Sequence, residues 1–243
     1  MSDAPTVQPH GPRAHDDHPP FRYDDYRSTV KRSPTKDLVT IVQSLSEVTG
    51  PGPAHAELSQ DDADLTTNAG TGGEAIGART IVTGRVLDED GAPVPGMLLE
   101  IWQANAAGRY AHWRETAFPA PMDPNFLGVG QCMTDSDGVY RFTTIRPGPY
   151  PWPNHPNAWR PAHIHFSLLG PSLGSRLVTQ LYFPDDPLLD LDPIFQSVPE
   201  RARERLIATY DHDVTQENWA TGWRWDIVLR GRGVTPFERE AAA

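Results

Sequence analysis

Apolar residues in the middle of the chain recur in short runs that are separated by turn residues. Residues 80–87 form a run rich in β-branched side chains, and the acidic turn at 88–91 separates it from a second run at 97–104. Runs of this length, bounded by Asp, Gly and Pro, are typical of β-strands. The pattern therefore predicts two strands that pair as a hairpin.

The same pattern continues toward the C-terminus. It predicts further strands at 139–145, 162–169, 177–183 and 223–230, the first of them after a second acidic turn at 135–138. Helical spacing of apolar residues is confined to two short stretches, 35–48 and a stretch around 201–210. Many short strands with few helices predict an all-β fold, an antiparallel β-sandwich with short peripheral helices.

The beginning of the chain has a different character. Residues 1–34 contain several prolines and no hydrophobic period, which predicts an N-terminal arm, partly extended, ahead of a single domain at 35–243. The arm carries Phe21, Tyr23 and Tyr26, and large aromatic side chains are rarely left uncovered on a soluble protein. We therefore expect the arm to be ordered from about residue 21 and to contact a partner.

The composition of the chain disfavours some classes of partner and location. The formal charge of -11 disfavours nucleic acid as a partner, and no apolar run approaches the roughly 20 residues that span a bilayer. The polar start of the chain lacks the features of a secretory signal and the single cysteine is Cys132, so a cytoplasmic location is expected. The 25 prolines, many between 119 and 161, predict long ordered loops, where functional sites are commonly built.

Two histidines form the sharpest chemical signal. His163 and His165 flank Ile164 in a predicted strand, and side chains two residues apart in a strand leave the same face. Both imidazoles can therefore converge on one metal ion. From the pair alone, hydrogen-bonded histidines without a metal are an open alternative.

Tyrosines near loops of fixed geometry offer additional ligands. Tyr110 follows Gly108-Arg109, and Tyr150 lies within the proline-rich run 147–151. A trivalent cation can stabilise a phenolate at neutral pH, and the hard phenolate oxygen favours ferric iron over zinc. The chain has seven tyrosines, and spacing alone does not distinguish these two from tyrosines used for packing.

Several motifs together resemble those of the intradiol ring-cleaving dioxygenases. Within that family the resemblance is greatest to the beta subunits of protocatechuate 3,4-dioxygenases, and it extends over most of the chain. It rests on these segments: Glu100-Ile101-Trp102-Gln103-Ala104-Asn105, Gly108-Arg109-Tyr110, Pro147-Gly148-Pro149-Tyr150-Pro151-Trp152 and Trp159-Arg160-Pro161-Ala162-His163-Ile164-His165.

The resemblance implies a ferric iron cofactor, Fe(3+), and a set of site residues. The implied metal ligands are Tyr110, Tyr150, His163 and His165, and Tyr150 would also act as a base during catalysis. Two more implied catalytic residues are Arg160, which would stabilise negative charge on the substrate ring, and Gln180. The residues implied to contact substrate are Tyr26, Trp152 and Ile194.

The resemblance also implies a reaction and a partner. Protocatechuate, a small aromatic diol, would be cleaved with O2 to 3-carboxy-cis,cis-muconate in the beta-ketoadipate pathway, in a hetero-oligomer with an alpha subunit of protocatechuate 3,4-dioxygenase. Two alternatives stay open at this point. One is a catechol or hydroxyquinol 1,2-dioxygenase, which typically has an N-terminal helical domain that is not predicted here, and the other is a non-catalytic β-sandwich interaction subunit.

Overall fold

The structure, a computed structural model, describes residues 17–36, 58–112, 115, 118–153, 158–170 and 176–237. These residues form eleven short strands and a few short helices, so the all-β expectation is confirmed. None of the helices in the described residues is long and apolar enough to cross a membrane.

The first of two main sheets is organised around its longest strand. β1 (Arg79–Leu87) pairs along its length with β4 (Val139–Ile145) in antiparallel orientation. Its other edge pairs in parallel with β10 (Thr221–Arg224) and then with β11 (Ile227–Val228). β9 (Thr209–Tyr210) extends the sheet beyond β10. The sandwich is thus mainly antiparallel but contains two parallel pairings.

The second sheet is antiparallel throughout and has the strand order β3-β2-β7-β8. Its strands are β3 (Val129–Met133), β2 (Leu98–Trp102), β7 (His163–Leu169) and β8 (Leu177–Tyr182). The core lies between the two sheets, and Phe166 of β7 packs at its centre against Tyr140 and Phe142 of β4 and against Trp225. Burial of these large aromatic side chains holds the two layers together.

The predicted hairpin between residues 80–87 and 97–104 is wrong. The turn after β1 forms, and Val94 N–H donates to the Val86 carbonyl, but β2 belongs to the opposite sheet. Pro93 and Pro95 have no backbone N–H, so the returning segment cannot continue a ladder along β1. The chain crosses instead to the second sheet, where Met97 N–H donates to Thr134 Oγ1.

The predicted strand at 223–230 is divided in two by a close approach of the backbone. Between β10 and β11, the Trp225 carbonyl accepts a hydrogen bond from the Tyr140 hydroxyl at 2.6 Å. It lies so near Gly84 that a Cβ atom at position 84 would overlap it. Glycine in β1 therefore allows the bend that interrupts the neighbouring strand.

The helical predictions are only partly matched. Around 201–210 the chain is helical only as far as residue 206, in α3 (Glu200–Arg203) and a 3-10 turn (Glu204–Leu206), after which it extends into β9. The predicted helix at 35–48 lies almost wholly outside the described residues. The pattern also missed α2 (Pro193–Ser197), which is too short to show a period, and the short β3, β5 (Tyr150–Pro151), β6 (Trp159–Arg160) and β9.

The described part of the arm packs against its own domain. Asp17 is buried and forms ion pairs with Arg201 at 2.7 Å and Arg205 at 3.0 Å, while the His18 ring contacts Phe237. Farther along, the arm forms the short helix α1 (Arg27–Arg32), which the sequence pattern did not predict. The arm is therefore attached through charge at its described beginning.

Replacing Asp17 by Asn should loosen this attachment. Burial opposes the ionisation of Asp17, but its bonds with Arg205 and Arg201 outweigh burial and lower its pKa. A loss of about 1 kcal/mol corresponds to a fall in Tm of roughly 2–4 °C for a chain of this size, measurable by calorimetry.

The pH dependence of the difference in Tm is a second test of the attachment through Asp17. Because the pKa of Asp17 is lowered in the folded state, its contribution is present above the pKa of the unfolded state and is lost as pH falls through the folded value. The difference between parent and Asp17→Asn should therefore shrink below about pH 4. Asp24→Asn, which alters the exposed pair Arg22–Asp24, is the matched control and should leave Tm unchanged. Equal Tm values for the parent and Asp17→Asn would contradict the attachment.

Candidate active site

The alternation of β7 brings both histidines to one face of the second sheet. Ile164, Phe166 and Leu168 point into the core and are fully buried, so His163 and His165 lie on the opposite face. Their ring centroids are 4.8 Å apart. The ring of Trp102, on neighbouring β2, stacks on His165 with an interplanar angle of 3°. The strand thus anchors the two imidazoles through the side chains that alternate with them.

Two loops lead to the tyrosines and share one organising residue, the buried Asn105 just after β2. Asn105 Oδ1 accepts hydrogen bonds from the backbone N–H groups of Ala107 and Arg109, each at 2.9 Å. Its backbone carbonyl accepts from the N–H of Gly148, in the loop that leads to Tyr150. Asn105 therefore ties the loop before Tyr110 to the loop before Tyr150.

Glycine allows the same two loops to pack closely. Gly108 has φ +80, and a Cβ at that position would overlap the Pro149 carbonyl oxygen. A Cβ at Gly148 would likewise overlap the Ala106 carbonyl. Only residues without a side chain allow this approach, which sets the spacing of the two tyrosines.

The four predicted metal ligands meet at one place. The hydroxyl of Tyr150 lies 3.5 Å from the hydroxyl of Tyr110 and 3.4 Å from Nε2 of His163. The rings of Tyr110 and His165 are 6.4 Å apart at their centroids. The described residues contain no cluster of three or more His, Cys, Asp or Glu side chains that could hold a metal, so a metal at this position would need the phenols as ligands.

The protonation of the histidines suits metal binding. Burial and the nearby Arg160 lower the pKa of both imidazoles, to about 3 for His165 and well below its usual value for His163. Both rings are therefore neutral at physiological pH. Nδ1 of His163 lies 2.7 Å from the Pro161 carbonyl and, as the donor in that bond, leaves Nε2 with its lone pair toward Tyr150.

The pKa of the buried phenol of Tyr110 is shifted in the opposite direction. Burial, followed by the effect of neighbouring Tyr150, raises its pKa well above the usual value. Without a compensating positive charge the phenol stays protonated. A trivalent cation between the rings would supply that charge and stabilise the phenolate.

Arg160 and Gln180 meet beside the four ligands. β6, which carries Arg160, pairs with β5 so that Arg160 lies opposite Tyr150. The buried guanidinium donates from Nη2 to Gln180 Oε1, and its carbon lies 5.6 Å from the Trp152 ring centroid. Gln180 is paired with His165 across β7 and β8. The structure therefore brings both predicted catalytic side chains to the candidate centre.

The residues predicted to contact substrate surround this group. Tyr26 of the arm packs edge-on against Trp152, with ring centroids 5.1 Å apart. Ile194, in the first turn of α2, lines a small cavity of about 20 Å³ together with Gln180 and Pro19 of the arm. The arm therefore contacts the site at two positions, through Tyr26 and through Pro19.

Sequence reasoning missed two side chains that the structure places at the site. Tyr182 and Asp192 are fully buried and both contact Arg160. Asp192 sits immediately before Pro193 at the start of a short helix, a recognisable capping pattern. That pattern predicts a helix start, but it does not reveal the arginine that faces the carboxylate.

Comparison with known proteins identifies the family. A family model described as Dioxygenase matches residues 50–231, well over half of the chain. A second model, described as Protocatechuate 3,4-dioxygenase beta subunit N terminal, matches residues 12–44. The chain belongs to the intradiol ring-cleavage dioxygenases. The resemblance inferred from sequence motifs is thereby confirmed.

Individual intradiol dioxygenases are similar to different extents. The chain is 56% identical over 237 residues to a protocatechuate 3,4-dioxygenase beta chain from Burkholderia cepacia, covering 98% of this chain and 100% of the relative. It is 32% identical to a hydroxyquinol 1,2-dioxygenase from Rhizobium sp. strain MTP-10005, covering 75% and 62%. The alpha chain of the Burkholderia cepacia enzyme is 26% identical, covering 82% and 98%.

Solved structures of intradiol dioxygenases agree with the fold. A 3-chlorocatechol 1,2-dioxygenase from Rhodococcus opacus 1CP superposes with a TM-score of 0.54 at 27% identity, and the match covers 70% of this chain and 65% of that structure. The sandwich described above is therefore the fold of the family's catalytic domain.

The close packing of the tyrosine loops generates a stability prediction. Gly108→Ala should lower the free energy of unfolding more than Gly91→Ala, as measured by urea denaturation. Both glycines have φ near +80, which costs about 1–2 kcal/mol for a residue with a Cβ, but the space around Gly91 is open. Equal losses in the two variants would show that the Pro149 carbonyl does not constrain position 108.

Proposed function

We propose that this chain is the iron-carrying beta subunit of a protocatechuate 3,4-dioxygenase, which cleaves protocatechuate between its two hydroxyl groups with O2. The observation that carries the proposal is the meeting of two neutral imidazoles and two phenols in one intradiol dioxygenase fold. The 56% identity over nearly the whole of both chains favours this substrate over catechol or hydroxyquinol.

The donor set fits ferric iron. Two phenolates are hard anionic ligands and two imidazoles are borderline ligands, a combination that suits Fe(3+) better than zinc or Cu(I). Tyr110, Tyr150, His163 and His165 would hold the ion. When bound, ferric iron supplies Lewis-acid activation of a catechol.

The surrounding residues have complementary roles in this proposal. As a phenolate, Tyr150 would accept a proton from a substrate hydroxyl; its oxygen lies 3.5 Å from the Tyr110 hydroxyl and 3.4 Å from His163 Nε2. Arg160 carries a permanent positive charge in a buried position, where it stabilises negative charge that develops on the aromatic ring. Gln180 helps to orient the substrate ring beside Arg160. Trp152, Tyr26 and Ile194 form the apolar boundary of the substrate site.

An alpha subunit completes the proposed enzyme. Both an alpha chain and a beta chain of the Burkholderia cepacia protocatechuate 3,4-dioxygenase are relatives of this chain. Tyr26 of the arm lies beside the candidate site, where a partner would contact it. The presence of all four candidate ligand residues in this chain argues against a purely structural role for it within such a complex.

Co-expression of this chain with an alpha chain tests the function directly. The purified complex should contain iron and show a visible absorption band from phenolate-to-iron charge transfer, and anaerobic protocatechuate should shift the band. Admission of O2 should then consume protocatechuate. A colourless complex without iron would refute the proposal.

Tyr110→Phe should abolish or alter the visible band, because it removes one phenolate while keeping the aromatic ring. Turnover should fall by at least about 10–100-fold, the loss typical of a disturbed metal environment. His212→Ala is the control, since His212 is exposed and remote from the four ligands in sequence and strand order. A parent-like spectrum in Tyr110→Phe would contradict its assignment as a ligand.

A further inference from the structure

Asp192 is a buried carboxylate that none of the proposed roles uses. Three aspartates are buried in the described residues, and of these only Asp192 has no exposed surface. A carboxylate is retained in such a position only with strong partners, because an unpaired buried charge is severely destabilising. Its partners therefore indicate what the residue does.

The two oxygens of Asp192 contact three different groups. Oδ1 lies 3.0 Å from Nε of Arg160 and also accepts a hydrogen bond from the backbone N–H of Ile194 at 3.0 Å. Oδ2 lies 3.2 Å from the hydroxyl of Tyr182, which can donate to it. One side chain thus joins β6, β8 and the first turn of α2.

Tyr182 extends this connection to Gln180. Its hydroxyl accepts from Arg160 Nη2 at 3.2 Å and lies 3.0 Å from Gln180 Oε1. Since Gln180 Oε1 also accepts directly from Arg160, the amide oxygen must face the guanidinium, which determines the orientation of the whole amide. Tyr182 is itself held by an edge-on contact with Phe195 of α2, with ring centroids 5.0 Å apart.

The guanidinium of Arg160 is planar and donates in fixed directions. Its Nε forms an ion pair with Asp192 Oδ1 at 3.0 Å, while Gln180 and Tyr182 accept hydrogen bonds from Nη2. A side chain held at both positions cannot rotate without breaking a charged contact. The ion pair with Asp192 and the two hydrogen bonds from Nη2 therefore restrain the positive charge beside Tyr150 and Trp152.

We infer that Asp192 is a positioning residue of the active site. It aligns Arg160 directly and Gln180 through Tyr182, and it holds Ile194 at the boundary of the site by capping α2. The inference deepens the proposed function and, where it concerns turnover, rests on it.

Asp192→Asn is the decisive variant because it keeps the size of the side chain and an acceptor for Ile194 N–H while removing the charge. In the complex with an alpha chain, kcat per bound iron should fall by about 10–100-fold, the range seen when supporting residues of a metal site are altered. KM should change by less than about threefold, because Ile194 stays capped and the apolar boundary is intact.

Asp211→Asn is the matched control. Asp211 also pairs with an arginine, Arg224 at 2.6 Å, and also accepts from nearby backbone N–H groups, but it lies near β9 on the other sheet. The Asp211→Asn variant should have the same kcat per iron and the same KM as the parent. A purely structural role for Asp192 predicts lower Tm or lower iron content with parent-like kcat per iron, and that result would overturn the inference.

Crystal structures of the parent and the Asp192→Asn variant provide a readout that does not depend on activity. In the variant, Nη2 of Arg160 should no longer lie within hydrogen-bond distance of Gln180 Oε1. An unmoved Arg160 would overturn the inference. If the parent complex does not convert protocatechuate, the proposed function fails, whereas this comparison still decides whether Asp192 positions Arg160.

Tyr182→Phe keeps the inference testable if Asp192→Asn does not fold. It removes only the hydroxyl that connects Asp192 with Gln180 and preserves the packing against Phe195. We expect kcat per iron to fall severalfold with KM close to that of the parent. Parent-like kcat in this variant, together with an unmoved Gln180, would overturn the connection through Tyr182.

Discussion

The site depends on the packing of β7 between the two layers of the sandwich. Its buried face, Ile164, Phe166 and Leu168, is held by aromatic side chains from the opposite sheet. Because strand residues alternate, that packing also sets the direction of His163 and His165. Core stability and ligand geometry therefore have one physical origin, and a slip of one residue in the register of β7 would exchange the two faces.

The two candidate tyrosine ligands lie outside the two main sheets. Tyr110 lies in the loop after β2 and Tyr150 in the two-residue strand β5, and the spacing of the loops that lead to them relies on Asn105 and on glycines that allow close backbone contact. Rigid loops of this kind avoid the entropy loss that flexible ones would incur when a ligand binds. The prolines before and after Tyr150 contribute to the same rigidity.

The neutral ligand side chains and the charged side chains of the site form two separate groups. The two imidazoles and the buried phenol of Tyr110 are neutral in the absence of a cation, whereas Arg160 and Asp192 form a buried ion pair beside them. The low pKa of the imidazoles follows from burial and from this same arginine. A cation bound by two phenolates would therefore meet neutral imidazoles without competition from protons.

Sequence alone determined the broad class of the fold, the pair of histidines on one strand face and, through family motifs, the tyrosines, Arg160 and Gln180. These features are local, because alternation and turn residues act over a few neighbours along the chain. The false hairpin at 80–104 shows the limit of such reasoning, since the turn was correct but its second strand joined the other sheet. Nothing local specifies which layer a strand enters after Pro93 and Pro95.

Only the tertiary structure decided how distant segments meet. The contact of Asp192 with Arg160, the link through Tyr182 and the arrival of Tyr26 at Trp152 all join residues from separate elements. The sequence contains these residues but not their distances, because their proximity results from packing two sheets, an arm and a short helix around one core. Residue types and local spacing therefore indicated the chemistry, while long-range packing determined which side chains support it.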